Sequence, residues 1–159
     1  AVDLIQLGKL DQVVARYRRV FMRIVSQLRT FRHIAPQKIN DRRGHIGCLL
    51  RFFPHTHRLG RRIVQALNAE GIRCSMRGVG APPDWHLYRY MFPVIGPTGS
   101  RQKRSRRGDC PVADDLFERC VQVWLNQWYS RRDCDRLAAG MNKVLSAYCT
   151  EDAQAPPWL

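Results

Sequence analysis

Residues 111–148 constrain the fold of this 159-residue chain more than any other stretch. Pro111 suits the first turn of a short helix, because the N–H that proline lacks is not needed there. Alternating apolar residues over 121–125 then predict a largely buried strand. Ser130 and Asp133 form a capping box, in which each side chain binds a free N–H at the start of a helix. The stretch therefore predicts a helix, a strand and a second, capped helix.

The capped helix carries one apolar face. Its apolar residues recur at steps of three and four: Cys134, Leu137, Ala138, Met141, Val144, Leu145 and Tyr148. Such spacing is typical of an amphipathic helix that buries one side. We expect this face to lie in the core.

A second long apolar stripe begins near the N-terminus. Its members are Leu7, Leu10, Val14, Tyr17, Phe21, Ile24, Leu28 and Phe31. Val13, Val20 and Val25 widen it. The spacing predicts one helix from about residue 3 to residue 34, ended before Pro36 because proline disfavours helical geometry in its predecessor.

The next part of the chain predicts a strand, a helix and another strand. Residues 35–45 are polar and typical of a loop, whereas residues 46–53 form an apolar run typical of a strand. Thr56 can cap the helix that follows, and Gly71 can end it in the left-handed conformation that glycine adopts cheaply. Residues 72–76 then predict a further strand.

The candidate binding residues come from two places. Residues 78–110 are rich in glycine and proline and predict an irregular, basic loop insertion. Within it, Trp85, His86 and Tyr88 combine an imidazole donor with aromatic rings that can stack on a sugar, although a half-buried loop histidine fits the same pattern. Arg51 interrupts the apolar strand, either to reach an anionic ligand or to extend its charged end into water at a sheet edge.

The net charge of +14 favours a polyanion as partner, because basic side chains neutralise phosphates. The 27 lysines and arginines are nevertheless spread along the chain, and the one dense basic run is RQKRSRR at residues 101–107. Dispersed charge is typical of a solvated surface. Two hypotheses therefore stand beside an enzymatic one: a standalone basic α/β module that binds nucleic acid or another polyanion, and a helix-led structural or dimerising module.

Several classes of protein are disfavoured. No apolar run reaches 18 residues, and AVDLIQLGKL lacks the pattern of a signal peptide, so we predict a cytoplasmic protein without a membrane span. The six cysteines contain no C-x-x-C pair, and we expect free, partly buried thiols. His55 and His57, near Cys48, have irregular spacing that predicts no metal site. The sequence opens on Ala1 instead of a methionine, and an apolar pattern follows directly, so we expect a piece of a longer protein.

Three segments, in this order, carry a family resemblance. They are QLGKLD at residues 6–11, RIVQALNAEGIRC at 62–74, and the Pro-x-Ala, Trp-Tyr-Ser and LAAGMNKVL elements within 111–148. Together they resemble the C-terminal part of the DegT/DnrJ/StrS-type sugar aminotransferases, which are pyridoxal-phosphate enzymes of fold type I. Trp124 stands where many members carry a proline.

The resemblance implies an α/β (α+β) fold, the C-terminal small domain of a fold type I aminotransferase. Residues 1–34 would form the connecting helix, residues 35–150 a small sheet flanked by helices, and residues 151–159 an extended tail. The parent enzyme would be a homodimer with an N-terminal large domain, acting on a nucleotide-linked keto-sugar or an aminocyclitol. A histidine faces the sugar from the matching loop of the family, which favours His86 as a substrate-binding residue.

The chain lacks the residues that pyridoxal-phosphate chemistry needs. Transamination requires a lysine amine that forms a Schiff base with the cofactor and a carboxylate beside the pyridinium nitrogen. None of the four lysines lies in the Ser-x-x-Lys context of the family: Lys9, Lys38, Lys103 and Lys143. In the family, both groups precede the matched segments. We therefore expect no catalytic residue, cofactor site or metal site here, and an inactive chain when it is alone.

Overall fold

The computed structural model describes residues 2–79 and 106–159. These residues form five helices and four strands: α1 (Val2–Leu7), α2 (Leu10–Val25), β1 (Ile34–Pro36), β2 (Leu49–Pro54), α3 (His57–Ala69), β3 (Cys74–Met76), α4 (Pro111–Arg119), β4 (Val121–Trp124) and α5 (Arg131–Tyr148). None of the helices in this part of the chain is both long and apolar enough to cross a membrane.

The four strands form one antiparallel sheet in the order β1-β2-β4-β3. At its centre, Leu50 on β2 pairs with Val123 on β4, and Phe52 pairs with Val121. All four side chains are fully buried. Helix α3 packs on β2 and β3, and α5 contacts both α2 and α3. A small sheet flanked by helices is the predicted α+β architecture, which the structure confirms.

Helix α5 matches its prediction closely. Ser130 Oγ accepts a hydrogen bond from the Asp133 N–H at 3.2 Å, and the Asp133 carboxylate accepts one from the Ser130 N–H at 2.9 Å. The predicted face is buried at six of its seven positions: Cys134, Leu137, Ala138, Met141, Val144 and Leu145. The helix therefore begins at the capping box and supplies a large share of the core.

The boundaries of α3 are also those expected from the sequence. The Leu59 N–H donates to Thr56 Oγ1 at 3.2 Å, which caps the first turn. Gly71 has a φ of 78° just after the helix. The polar stretch 35–45 differs from its prediction, because its first two residues belong to β1, which pairs with β2. This strand lies at the sheet edge, where the missing N–H of Pro36 costs no ladder bond.

The prediction of one helix from residue 3 to residue 34 is wrong. The helix is divided near Gly8, and α2 ends at Val25. Glycine within a helix costs about 1 kcal/mol relative to alanine, which favours the break. Phe31 is buried, but it pairs with Glu151 in an isolated β-bridge instead of continuing the helix. The apolar spacing thus persists beyond the helix, because the chain continues along the same core.

The tail over residues 151–159, expected to lie extended, is anchored on the core. Trp158 is only 6% exposed, and its ring meets that of Phe52 edge to face at a centroid distance of 5.7 Å. Its Nε1–H donates to the Arg29 carbonyl oxygen at 2.9 Å. The tail therefore closes one side of the domain.

Candidate functional site

The second face of the sheet carries the candidate site. Successive side chains of a strand point to opposite faces, so the residues that alternate with the core share one surface. On the two central strands these residues are half-buried or exposed: Leu49, Arg51, Phe53, Gln122 and Trp124. We call this surface the open sheet face.

Arg51 occupies the middle of the open sheet face. It pairs with Gln122 on β4, which in turn pairs with Ser75 on β3. Towards the β1 edge, its Nη1 donates to Gln37 Oε1 at a long distance of 3.5 Å. Its side chain forms no ion pair within the part of the chain that the structure describes. A guanidinium with most of its five donors available is suited to a phosphate, a carboxylate or several hydroxyl groups.

A histidine that the sequence did not single out lies close to this arginine. The pKa of His45 is lowered, first by burial and then by the positive charges of Arg51 and Arg18. Its ring meets Phe21 at a centroid distance of 4.7 Å, and a cavity of about 10 Å³ separates it from Gln37 and the β2 residues. Its Nε2 is buried and has no hydrogen-bond partner among the described residues. Burial and the two neighbouring arginines therefore disfavour a further positive charge beside Arg51.

Glu118 marks where the loop insertion leaves and rejoins the domain. It is 1% exposed, and its two oxygens accept hydrogen bonds from Arg107 at 2.6 and 2.7 Å. Its carbonyl oxygen accepts a bond from the Gly78 N–H at 3.0 Å. Gly78 precedes residues 80–105 in the chain and Arg107 follows them, so Glu118 contacts the chain on both sides of that segment. Sequence patterns gave no signal for this role.

Three of the four predicted binding residues lie outside the described residues: Trp85, His86 and Tyr88. Most of the basic run at 101–107 lies outside them as well. Only Arg51 is placed by the structure. Residues 2–79 and 106–159 contain no group of three histidine, cysteine or acidic side chains that could hold a metal ion.

The described lysines do not fit a pyridoxal-phosphate site. Lys9 and Lys38 are exposed to solvent. Lys143 is 70% exposed, and its Nζ pairs with Glu70 at 2.7 Å. A Schiff-base lysine needs a desolvated amine or one whose pKa is lowered by a neighbouring cation. We therefore assign no step of cofactor chemistry to this part of the chain, and Lys103 lies outside it.

Comparison with known proteins finds solved structures that this chain resembles. One of them is a Streptococcus pneumoniae protein assigned as a sugar aminotransferase, in its PMP form. The match has a TM-score of 0.59 at 18% sequence identity and covers 91% of this chain, but only 34% of the other. No protein-family model matches the sequence, and neither does any curated protein. The chain therefore spans about a third of that aminotransferase and shares the fold of that part.

Proposed function

We propose that this chain is the C-terminal small domain of a pyridoxal-phosphate-dependent aminotransferase of the DegT/DnrJ/StrS type. The observation that carries the proposal is the fold shared over 91% of the chain with part of a protein assigned as a sugar aminotransferase. The three resembling sequence segments support the same family independently of the fold. The substrate class that follows is a nucleotide-linked keto-sugar or an aminocyclitol.

In this proposal the cofactor belongs to an N-terminal large domain of a cytoplasmic homodimer. The small domain contributes the open sheet face, with Arg51 as the residue that binds an anionic or hydroxyl-rich part of the substrate. Trp85, His86 and Tyr88 would join it from the loop insertion. That insertion follows β3. The last residue of β3, Met76, pairs with Val121, and the next residue of β4, Gln122, is the pairing partner of Arg51.

The experiment that tests the family is expression of the coding frame extended upstream of Ala1. We expect the longer protein to bind pyridoxal phosphate and to aminate a nucleotide-linked keto-sugar. Borohydride reduction should then attach the cofactor to one lysine upstream of Ala1 and to none within the 159 residues. A stoichiometric adduct on a lysine of this chain, or a longer protein that binds no cofactor, would contradict the proposal.

The role of Arg51 has its own test in that longer protein. The substitution Arg51→Gln removes hydrogen bonds to a charged group, which are worth about 1.5–3 kcal/mol. We expect KM for the sugar substrate to rise by about tenfold or more. The matched control is Arg61→Gln, because Arg61 is an exposed arginine on α3. Equal KM values for the two variants would show that Arg51 does not bind substrate.

A further inference from the structure

Two grooves adjoin on the helical side of the domain, and Tyr129 lies in the wall of both. The larger, of about 450 Å³, lies between the end of α3 and α5; the smaller, of about 350 Å³, lies between α2 and the start of α5. Six basic and two acidic side chains line them: Arg19, Arg23, Arg73, Arg131, Arg136 and Lys143, with Glu70 and Asp133. We call these two grooves together the basic groove.

The negative charge along the basic groove already has partners. Glu70 pairs with Lys143 at 2.7 Å, and Asp133 is held in the capping box of α5. Asp135, next to the smaller groove, pairs with Arg23 at 2.7 Å. These acidic groups therefore offset only the basic residues that they contact, and the remaining charge of the groove is positive.

Four arginines supply that remaining charge, and one of them, Arg73, has its guanidinium 5.5 Å from the ring centroid of Trp124. The other three, Arg19, Arg131 and Arg136, are exposed, and their side chains make no hydrogen bond or ion pair within the described part of the chain. Arg131 is the first residue of α5, where the helix dipole adds to the positive potential, and Arg136 lies in the second turn. The arrangement is suited to several phosphate groups in a row, because the three guanidinium groups come from two different helices.

An exposed aromatic ring adjoins the basic groove through the chain. Trp128, adjacent in the chain to Tyr129, is 66% exposed, and the guanidinium of Arg16 lies 4.1 Å from its ring centroid. The cation covers part of the indole, and the high exposure of the ring gives a base room to stack on it. Stacking of a nucleic-acid base on an exposed aromatic ring is worth about 1–3 kcal/mol and does not depend on which base it is.

We infer that the basic groove binds single-stranded nucleic acid without sequence preference, a function separate from the proposed aminotransferase. Arg19, Arg131 and Arg136 contact the phosphates, and one base stacks on Trp128. Such binders combine a positively charged groove with aromatic rings on which bases stack, and here Tyr129 lines the groove while Trp128 adjoins Tyr129 in the chain. The net charge of +14 strengthens the attraction for any polyanion. Three phosphate contacts on a single strand give a slope of log affinity against log salt of about −2.

The test is fluorescence anisotropy of the 159-residue chain with a labelled twelve-nucleotide oligothymidylate between 50 and 200 mM NaCl. We expect the triple variant Arg19→Gln, Arg131→Gln and Arg136→Gln to bind at least about tenfold more weakly and to lose most of the salt slope. Trp128→Ala should weaken binding by about tenfold, with little change in that slope. All four side chains are exposed, and circular dichroism checks that the fold survives.

The matched control removes the same charge elsewhere, through Arg42→Gln, Arg58→Gln and Arg61→Gln. These arginines are also exposed, and they do not line the basic groove. A smaller loss of affinity in this control supports the site. Equal losses in the two triple variants would overturn it in favour of a net-charge effect. Displacement of the oligonucleotide by thymidine monophosphate at equal phosphate concentration would also overturn it, because an extended strand is then not required. Neither outcome bears on the aminotransferase proposal, since the assay needs no large domain.

Discussion

Replacement of Trp158 by alanine tests whether the C-terminal tail is part of the core. The indole is 6% exposed, it donates to the Arg29 carbonyl oxygen at 2.9 Å, and it contacts the ring of Phe52. Truncation of a buried aromatic side chain to alanine costs about 3–5 kcal/mol. Because domains are stable by only about 5–15 kcal/mol, this one change removes a large share of the total.

Two further variants separate the parts of that cost. Trp158→Phe keeps most of the ring but leaves the Arg29 carbonyl oxygen without its donor, so we expect a loss of about 1–2 kcal/mol. Trp128→Ala is the matched control, because that tryptophan is 66% exposed and its removal should change stability by about 0.5 kcal/mol or less.

The measurement is urea unfolding of the four proteins, followed by circular dichroism. With a slope of about 2 kcal/mol per molar, Trp158→Ala should lower the midpoint by about 1.5–2.5 M. The Trp128→Ala midpoint should stay within about 0.3 M of the unmodified chain. If the Trp158→Ala midpoint is equally unchanged, the tail does not pack on Phe52 in solution and the reasoning is refuted.

Three other predictions concern left-handed glycines, cysteine burial and the cap of α5. Gly47→Ala should destabilise the chain by about 2–5 kcal/mol in urea unfolding, because a left-handed φ of 76° is combined with a clash of the new Cβ with Phe21. Gly71→Ala has the same type of φ but open space, so it should cost only about 1–2 kcal/mol, and equal costs would speak against the packing. With a chromogenic disulfide reagent, the exposed Cys110 should react first. Burial raises the pKa of Cys74 to about 11, so Cys74 should react only on unfolding. Simultaneous reaction of the two thiols would contradict the burial of Cys74 in the core. Ser130→Ala should cost about 1 kcal/mol near neutral pH. The hydroxyl and the N–H of Ser130 both donate to the Asp133 carboxylate and lower its pKa, and the alanine variant keeps only the N–H bond. The part of the cost that comes from the hydroxyl bond is therefore present above the unfolded pKa near 3.9 and lost as pH falls through the folded value. A cost that stays the same down to pH 2 would mean that the hydroxyl does not bind the carboxylate.

Local patterns were sufficient wherever a structure depends on neighbours in the chain. The capping box at Ser130 and the cap at Thr56 involve partners three residues away, and both are present. The apolar face of α5 follows from a spacing of three and four residues. These features could be predicted because the interactions that form them are encoded within one turn of helix.

Features that depend on distant partners could not be predicted in this way. Phe31 has the spacing of a helical residue, yet its backbone pairs with Glu151, which no local pattern announces. Trp158 lies in a proline-containing tail that is typical of an extended end, and its burial depends on Phe52 and Arg29. In each case a tertiary contact outweighed the local preference.

The candidate surfaces show the same division. Arg51 could be selected from the sequence because a charged residue inside an apolar strand is unusual. The nearness of His45 and Gln37 to it depends on how the loop after β1 folds back on β2. Likewise, the sequence places Trp128 and Tyr129 close to Arg131, but only the packing of α2 beside α5 brings Arg19 to the same groove from a distant part of the chain.

Helix α1 presents an apolar surface that the described part of the chain leaves exposed. Helix α1 has no buried residue, and its large apolar side chains are all exposed: Val2, Leu4, Ile5 and Leu7. Burial of a side chain the size of leucine is worth about 1.5–3 kcal/mol, so contact between two such helices is favourable. We therefore expect the 159-residue chain to self-associate at high protein concentration.

Substitutions on α1 and α2 distinguish surface from core. Leu4→Lys with Leu7→Lys should restore a monomer in sedimentation and leave the urea midpoint unchanged, because neither side chain is packed. Val20→Lys should unfold the chain. The sequence places Val20 beside the main apolar stripe, but the residue is only 1% exposed, and burying an unpaired ammonium group is costly. A tolerated lysine at position 20 would mean that α2 does not pack on the domain as described. A clean monomer of the unmodified chain at high concentration would mean that its exposed leucines are too few to drive association.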